Sequence, residues 1–200
     1  MLLFELFKGT GSVGRVARKL GFTTMSLDFD ETYEPDILTD ILIWDYKKMN
    51  ITPTFIWASP PCNTYSPLAY ALKERVLANA EPISDRAIIG TKILYKTIEI
   101  IKYFQKKNPK MGFVIENPRG MMRFDKKIQQ FIYNNTNYCN YNDARTKSTD
   151  FFSNYDLELD PTKCKGTKRI VDLPLIERYA IPPKLIKHIL TKYLELTEGT

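Results

Sequence analysis

The 200-residue chain predicts an α/β fold built on a mostly parallel sheet with helices on both faces. Two observations carry that prediction. Short apolar runs of strand length alternate with stretches of helical spacing through the first two thirds of the chain. Several of these runs end in glycine, proline or an acid, as strands do where they leave a sheet. No internal repeat or low-complexity tract interrupts the order, and the length suits one domain with a real core.

Residues 1–7 read as a short buried strand, and 8–12 as a glycine-bearing turn. A helix follows over 13–20, with Val13, Val16, Ala17 and Leu20 inward and Gly21 as its stop. The β-branched and apolar stretch 23–27 makes a second strand closed by Asp28, and 36–41 a short third one. Residues 54–58 form the strand that leads into Cys62, and 59–82 a long loop of polar, aromatic and basic content. Ser84 can cap a helix running to about Lys107, with Ile88, Ile89, Ile93, Ile98, Ile101 and Phe104 near helical spacing. Residues 112–115 make another buried strand ending in Glu116-Asn117-Pro118, and 125–133 a helix. Strands over 136–141 and 148–152 are joined by a basic turn. The stretch 156–180 is irregular and carries Lys163, Lys165, Lys168 and Arg169. Pro182 or Pro183 then opens a last helix to about Glu195.

Composition narrows the class. Lys and Arg total 29 against 23 Asp and Glu, a formal charge of +6 that favours a polyanionic partner. The cysteines, Cys62, Cys139 and Cys164, are odd in number and lack C-x-x-C spacing, which argues against a disulfide framework or a zinc site. His188 is the sole histidine, so no histidine cluster supports a metal. No apolar run reaches membrane-spanning length, and the first residues lack a charged leader. The expectation is a reduced, cytoplasmic, soluble domain.

In a parallel sheet the strand exits share one edge, where ligands bind. Gly9, Asp28, Cys62 and Glu116 all stand at such exits and are expected to converge. The turn Phe7-Lys8-Gly9-Thr10-Gly11 follows a strand and opens a helix, so a ligand can approach its backbone closely. Asp28, about twenty residues on, is placed for ribose hydroxyls. Together they suggest an adenosine cofactor without separating NAD from S-adenosylmethionine. Cys62 follows two prolines outside its apolar run, where a thiol can act as a nucleophile rather than core filling. Glu116 at the facing edge can hold a heterocycle by its polar side.

This ordered set resembles the cytosine-5 DNA methyltransferases over nearly the whole chain. Phe7, Gly9 and Gly11 look like that family's first motif, Asp28 like its ribose-binding acid, and Asp40 like the acid that contacts adenine. Pro61-Cys62 is similar to the catalytic Pro-Cys, with Ser66 at the serine of that motif. Glu116-Asn117 looks like the Glu-Asn motif, Arg145-Thr146-Lys147 stands at the Arg-x-Arg position, and 180–183 resembles the final motif. The departures are Asn63 for Gln, Pro118 for Val, Asp143 and Lys147 for Gln and Arg, and Tyr179 for Asn. About thirty residues separate Phe151 from the final motif, where the family carries a target-recognition domain.

The resemblance implies a Rossmann-like class I methyltransferase fold over 1–200, with 153–180 as a reduced remnant of the recognition domain. It implies S-adenosyl-L-methionine as cofactor and DNA as substrate. Phe7, Gly9, Gly11, Asp28, Asp40 and Pro61 would hold the cofactor, and Ser66 and Asn117 the substrate. Cys62 would attack cytosine carbon 6, Glu116 would share a proton with ring nitrogen 3, and Arg145 or Lys147 would bind the base carbonyl. The base would have to be flipped out of a duplex, and the 59–82 loop would close over it. The same chemistry on RNA stays open. Two further readings stand beside it. Ser59-Pro60-Pro61 resembles an amino-methyltransferase motif, which wants an aromatic where Cys62 stands. A non-catalytic module serving a separate recognition subunit has no need of both Cys62 and Glu116.

Overall fold

The computed structural model describes residues 1–168 and 172–198. Seven strands form one sheet: β1 (Leu2–Leu6), β2 (Thr23–Asp28), β3 (Ile37–Leu38), β4 (Phe55–Ala58), β5 (Gly112–Pro118), β6 (Ile132–Asn137) and β7 (Ser148–Ser153). Their spatial order is 3-2-1-4-5-7-6, parallel from β3 through β5, with β7 antiparallel to β5 and β6. The start of β7 therefore lies at the edge where β1, β2, β4 and β5 end.

The central strands are apolar because both faces are covered, and residue parity decides which face each side chain meets. Phe4, Leu6, Ile56, Ala58, Phe113 and Ile115 join one core cluster with Leu94, Ile98, Ile101 and Phe104 of α3 (Asp85–Lys107). Leu3, Phe55, Trp57 and Val114 turn the other way. They pack with Val13 and Ala17 of α1 (Ser12–Lys19) and Leu185, Ile186 and Ile189 of α5 (Pro183–Glu198). The backbone N–H of Ile181 donates to Ser12 Oγ at 3.3 Å, so the final motif docks on the first helix.

The mostly parallel α/β sheet matches the expectation, and several elements differ. Ser84 does cap α3, its hydroxyl accepting from the Ala87 N–H at 3.1 Å. The buried stripe of α3 runs through Ala87, Gly90, Leu94, Ile98, Ile101 and Phe104, which leaves Ile88 and Ile89 off the stripe, 39% and 50% exposed. Residues 125–133 are not a helix. Asp125 caps a turn by accepting the Lys127 N–H at 2.8 Å, and β6 begins at Ile132. The strand expected over 136–141 is displaced towards the N-terminus, since a 3-10 turn occupies Tyr138–Tyr141. The third strand keeps only Ile37–Leu38. The loop 59–82 contains a short helix, α2 (Pro67–Ala71), and the 156–180 stretch contains α4 (Leu175–Tyr179). Lys163, Lys165 and Lys168 are exposed, and Arg169 lies outside the described residues.

The expectation of three reduced cysteines is overturned: Cys139 and Cys164 form a disulfide, leaving Cys62 free. Twenty-five residues separate the pair, and hydrogen bonds bring it together. Asn137 Nδ2 donates to the Thr162 carbonyl at 3.1 Å and Asn140 Nδ2 to the Asp160 carbonyl at 3.0 Å. His188 packs beside Tyr141, with Nε2 3.0 Å from the Leu157 carbonyl. Among the described residues no helix is long and apolar enough to cross a membrane.

Thiol titration of the denatured chain is expected to give one reactive cysteine without reductant and three with it. The Cys164→Ser variant is expected to lose about 3 kcal/mol of stability in chemical denaturation, the order set by closing a loop of this length. Three thiols without reductant would refute the pairing.

Candidate active site

The carboxyl edge of the sheet divides into two regions. The first is a backbone cradle at the ends of β1 and β2. Phe7 has φ +64° and both its N–H and that of Lys8 donate to the Leu27 carbonyl, at 2.8 and 3.1 Å. Gly11, also at φ +64°, precedes α1, and no side chain caps that helix start. Asp28 is buried; its Oδ2 accepts the Gly9 N–H at 2.9 Å and its Oδ1 the Asp30 N–H at 3.1 Å. The acid thus sets the shape of the glycine turn. Asp40, exposed beyond β3, accepts the Leu42 N–H at 2.8 Å. Phe29, directly after Asp28, is 70% exposed and offers a flat apolar face beside the cradle. An uncapped helix start, a buried acid and an exposed ring fit an adenosine cofactor of the S-adenosylmethionine type.

The second region surrounds Cys62. Burial pushes the Cys62 thiol up, nearby Glu116 pushes it further, and Lys147 pulls it back. Glu116, inside β5 and buried, is likewise raised by burial; Lys147 and the hydroxyls of Ser59 and Tyr138 oppose that rise without cancelling it. The three groups therefore share one electrostatic neighbourhood. Asn117 Nδ2 donates to the Pro60 carbonyl at 3.0 Å and fixes the backbone entering Pro61-Cys62, while its Oδ1 is buried with no partner among the described residues. Ser66 Oγ accepts the Ala69 N–H at 3.3 Å and caps α2.

Arg145 and Lys147 do not play interchangeable parts. Arg145 is buried and held by Asp143, with Nε to Oδ1 at 2.7 Å and Nη2 to Oδ2 at 2.5 Å. Its Nη1 donates to the Glu177 carbonyl of α4. Among the described residues Lys147 makes one hydrogen bond, to the Arg178 carbonyl at 3.1 Å. Both cations lie over the Tyr138 ring, at 5.0 and 5.1 Å from its centre. Tyr138 is fully buried and its hydroxyl donates to Glu116 Oε1 at 3.5 Å, so it bridges the acid and the cations.

Three residues of the site were not legible in advance. Tyr138 sits in a tyrosine-rich stretch that reads as packing. Glu5, on β1, is buried, with its pKa raised to about 7 by burial against the opposing Gly14 N–H and nearby cations; it accepts that N–H at 3.0 Å. Arg75 is buried in the loop after Cys62, and neutral acceptors meet all five of its N–H groups. Nε and Nη2 reach the Thr64 carbonyl and hydroxyl at 2.8 and 3.1 Å, and Nη2 also reaches the Ala87 carbonyl of α3 at 2.8 Å. Its guanidinium stacks 3.7 Å from the Tyr65 ring centre. A Cβ on Gly90 would stand 2.6 Å from Thr64 Oγ1, so α3 and the Cys62 loop meet where only glycine fits. This clamp differs from a loop free to swing along its whole length.

The Arg75→Met variant is expected to lose about 3 kcal/mol of stability in chemical denaturation, because several buried acceptors lose a charged donor together. The rate of Cys62 alkylation is expected to inflect at higher pH than for an ordinary free thiol. Glu116→Gln should lower that inflection and Lys147→Met should raise it; a profile unmoved by either variant would show that the three groups do not interact.

No family model matches the chain. It is 31% identical over 148 residues to a protein of Frog virus 3 (isolate Goorha) named "Probable DNA (cytosine-5)-methyltransferase", which covers 72% of this chain. The chain spans 65% of that relative's length. Among solved structures it resembles the S. pombe Dnmt2 methyltransferase, with a TM-score of 0.51 and 16% identity over 86% of this chain and 54% of that one. The Entamoeba histolytica methyltransferase EhMeth gives a TM-score of 0.49 at 10% identity, over 86% and 59% of the two chains. The chain is thus similar in sequence to a protein named as a probable cytosine-5 DNA methyltransferase, and in fold to a Dnmt2 methyltransferase.

Proposed function

We propose that the protein methylates carbon 5 of cytosine in DNA, with Cys62 as the covalent nucleophile. The observation that carries this reading is the placement of a free thiol beside a buried glutamate and a lysine at one sheet edge. An exocyclic nitrogen is itself nucleophilic and needs no thiol. Carbon 5 becomes nucleophilic only when a nucleophile adds to carbon 6.

The residues divide the work. Phe7, Gly9, Gly11, Asp28, Asp40 and Pro61 would hold S-adenosyl-L-methionine. When bound, that cofactor supplies an electrophilic methyl group. The Cys62 thiolate adds to carbon 6, and the negative charge passes into the ring. Glu116, kept towards its protonated form by burial, holds ring nitrogen 3 through its proton and offsets that charge. Lys147 keeps ammonium protons beyond its bond to the Arg178 carbonyl, and these would bind the base oxygen. Arg145 positions the strand that presents Lys147, its own guanidinium being occupied by Asp143. Asn117 and Arg75 hold the backbone on either side of Cys62, so the nucleophile is pre-organised. Once carbon 5 carries the methyl group, loss of its proton to solvent water and departure of Cys62 as thiolate restore the ring.

Residues 153–180 stand in for a target-recognition domain in this reading. A stretch so short supplies little base readout, so sequence choice comes from a separate subunit or is weak.

The test uses DNA containing 5-fluorocytosine, in which fluorine at carbon 5 blocks the final elimination. A stable adduct mapped to Cys62, formed only with S-adenosylmethionine, is the expected result. Cys62→Ala should abolish methyl transfer, and Glu116→Gln should slow it by about 10²-fold or more. Transfer that survives Cys62→Ala would move the reaction to an exocyclic nitrogen. An adduct with RNA and none with DNA would change the substrate class.

A further inference from the structure

A groove of about 710 Å³ runs along the outer side of α3, between the residues after β3 and the segment after β5. Its floor is Leu42, Tyr95 and Ile98, and its walls carry Lys92, Lys96, Lys102 and Lys127. Among the described residues that line it the only acid is Glu99, which is already occupied: it accepts from the Tyr46 hydroxyl at 2.5 Å and pairs with Lys96 at 3.2 Å. Lys102 reaches a neutral partner, Gln130 Oε1, at 2.5 Å, and Lys127 lies 3.7 Å from the centre of the Tyr95 ring. Among the described residues, Lys92, Lys102 and Lys127 have no carboxylate partner.

The groove is joined to the catalytic edge by the chain itself. Exposed Arg119 follows β5 directly, then come Arg123 and Lys127. Tyr95 anchors this segment to α3 by donating to Asp125 Oδ2 at 3.3 Å. On α3, Gly90 touches Thr64 of the Cys62 loop, and Lys92 lies two residues further on. From Lys92 to Lys102 the helix rises about 15 Å, the axial span of about four phosphates on one strand of a duplex. Lysines spread over nearly three turns do not converge on one phosphate, and no arginine fork or helix start faces them. That spacing suits an extended polyanion.

We propose that this groove binds the phosphodiester backbone of the DNA flanking the target base. It supplies non-specific affinity for the duplex on either side of that base. The inference rests on the DNA methylation reading for the identity of the polyanion.

The test is the salt dependence of binding to a labelled duplex, followed by anisotropy. The combined Lys92→Glu, Lys102→Glu, Lys127→Glu variant is expected to bind at least tenfold more weakly at low salt. Its slope of log affinity against log salt should shrink by about 2 to 3, close to 0.9 for each phosphate that is no longer neutralised. A Lys92→Gln, Lys102→Gln pair, which perturbs the surface less, should shrink it by about 2. Both variants should keep cofactor binding and the Cys62 adduct with saturating fluorocytosine DNA. The control is Lys19→Glu, Lys184→Glu, Lys187→Glu, with the same charge change on the α1 and α5 side. If the control weakens binding equally, net charge is responsible and the groove is not. If wild type binds DNA and forms the adduct while the groove variants match it, the groove inference alone falls. If wild type binds no DNA at any salt, the functional reading falls with it.

Discussion

The rest of the structure depends on the burial of β1, β4 and β5 on both faces. Strands covered on both sides offer no polar face to water, so they pair with one another in parallel and leave their function to their ends. That constraint brings residues far apart in the sequence to one edge: Gly9, Asp28, Cys62 and Glu116, and, because β7 runs the other way, Lys147 at its start. The parity of each strand then separates two cores, one under α3 and one under α1 and α5. Packing and site placement are consequences of the same choice of strand order.

Burial does chemical work at that edge. A carboxyl group in an apolar environment resists ionisation, and Glu116 is held towards its protonated form by its position in β5. The same burial makes the Cys62 thiol harder to ionise, and Lys147 acts against that. The arrangement suits a reaction in which thiol addition and proton sharing at the ring proceed together. A permanently ionised pair would place two negative charges beside each other. Arg75 follows a different logic. Its charge has no carboxylate partner among the described residues, yet every N–H is satisfied and the guanidinium stacks on Tyr65. Such a network is costly to break and narrow in the geometries it accepts, so it fixes Thr64, two residues from Cys62, against α3.

What the sequence disclosed was local or ordered. Ser84 announces α3, and the strand exits announce themselves by glycine, proline and acid. The spacing of Gly9, Asp28, Cys62 and Glu116 carries the resemblance to a family. What it concealed depended on contacts between distant segments. Asp125 reads as a helix start, but its carboxylate is spent on the Lys127 N–H and the Tyr95 hydroxyl. Ile88 and Ile89 look inward by composition, and only the observed phase of the α3 stripe shows them outside it. The Cys139–Cys164 bond has no spacing signature, because asparagine side chains from β6 and the turn after it bring the partner segment into place. Arg75 lies in a stretch that reads as an unstructured loop, and no local pattern marks its charged side chain as buried.

The α4 segment brings these elements together. Its last carbonyls, on Glu177 and Arg178, receive Arg145 and Lys147, and the segment before it is stapled to the sheet through Cys139. A five-residue helix so placed holds both cations in register over Tyr138, which in turn touches Glu116. The connection after β7 organises the cations with backbone carbonyls, a disulfide and one buried tyrosine. The edge that carries Cys62 and Glu116 is therefore supported by the chain's own residues on the β7 side as well as through Arg75 on the α3 side.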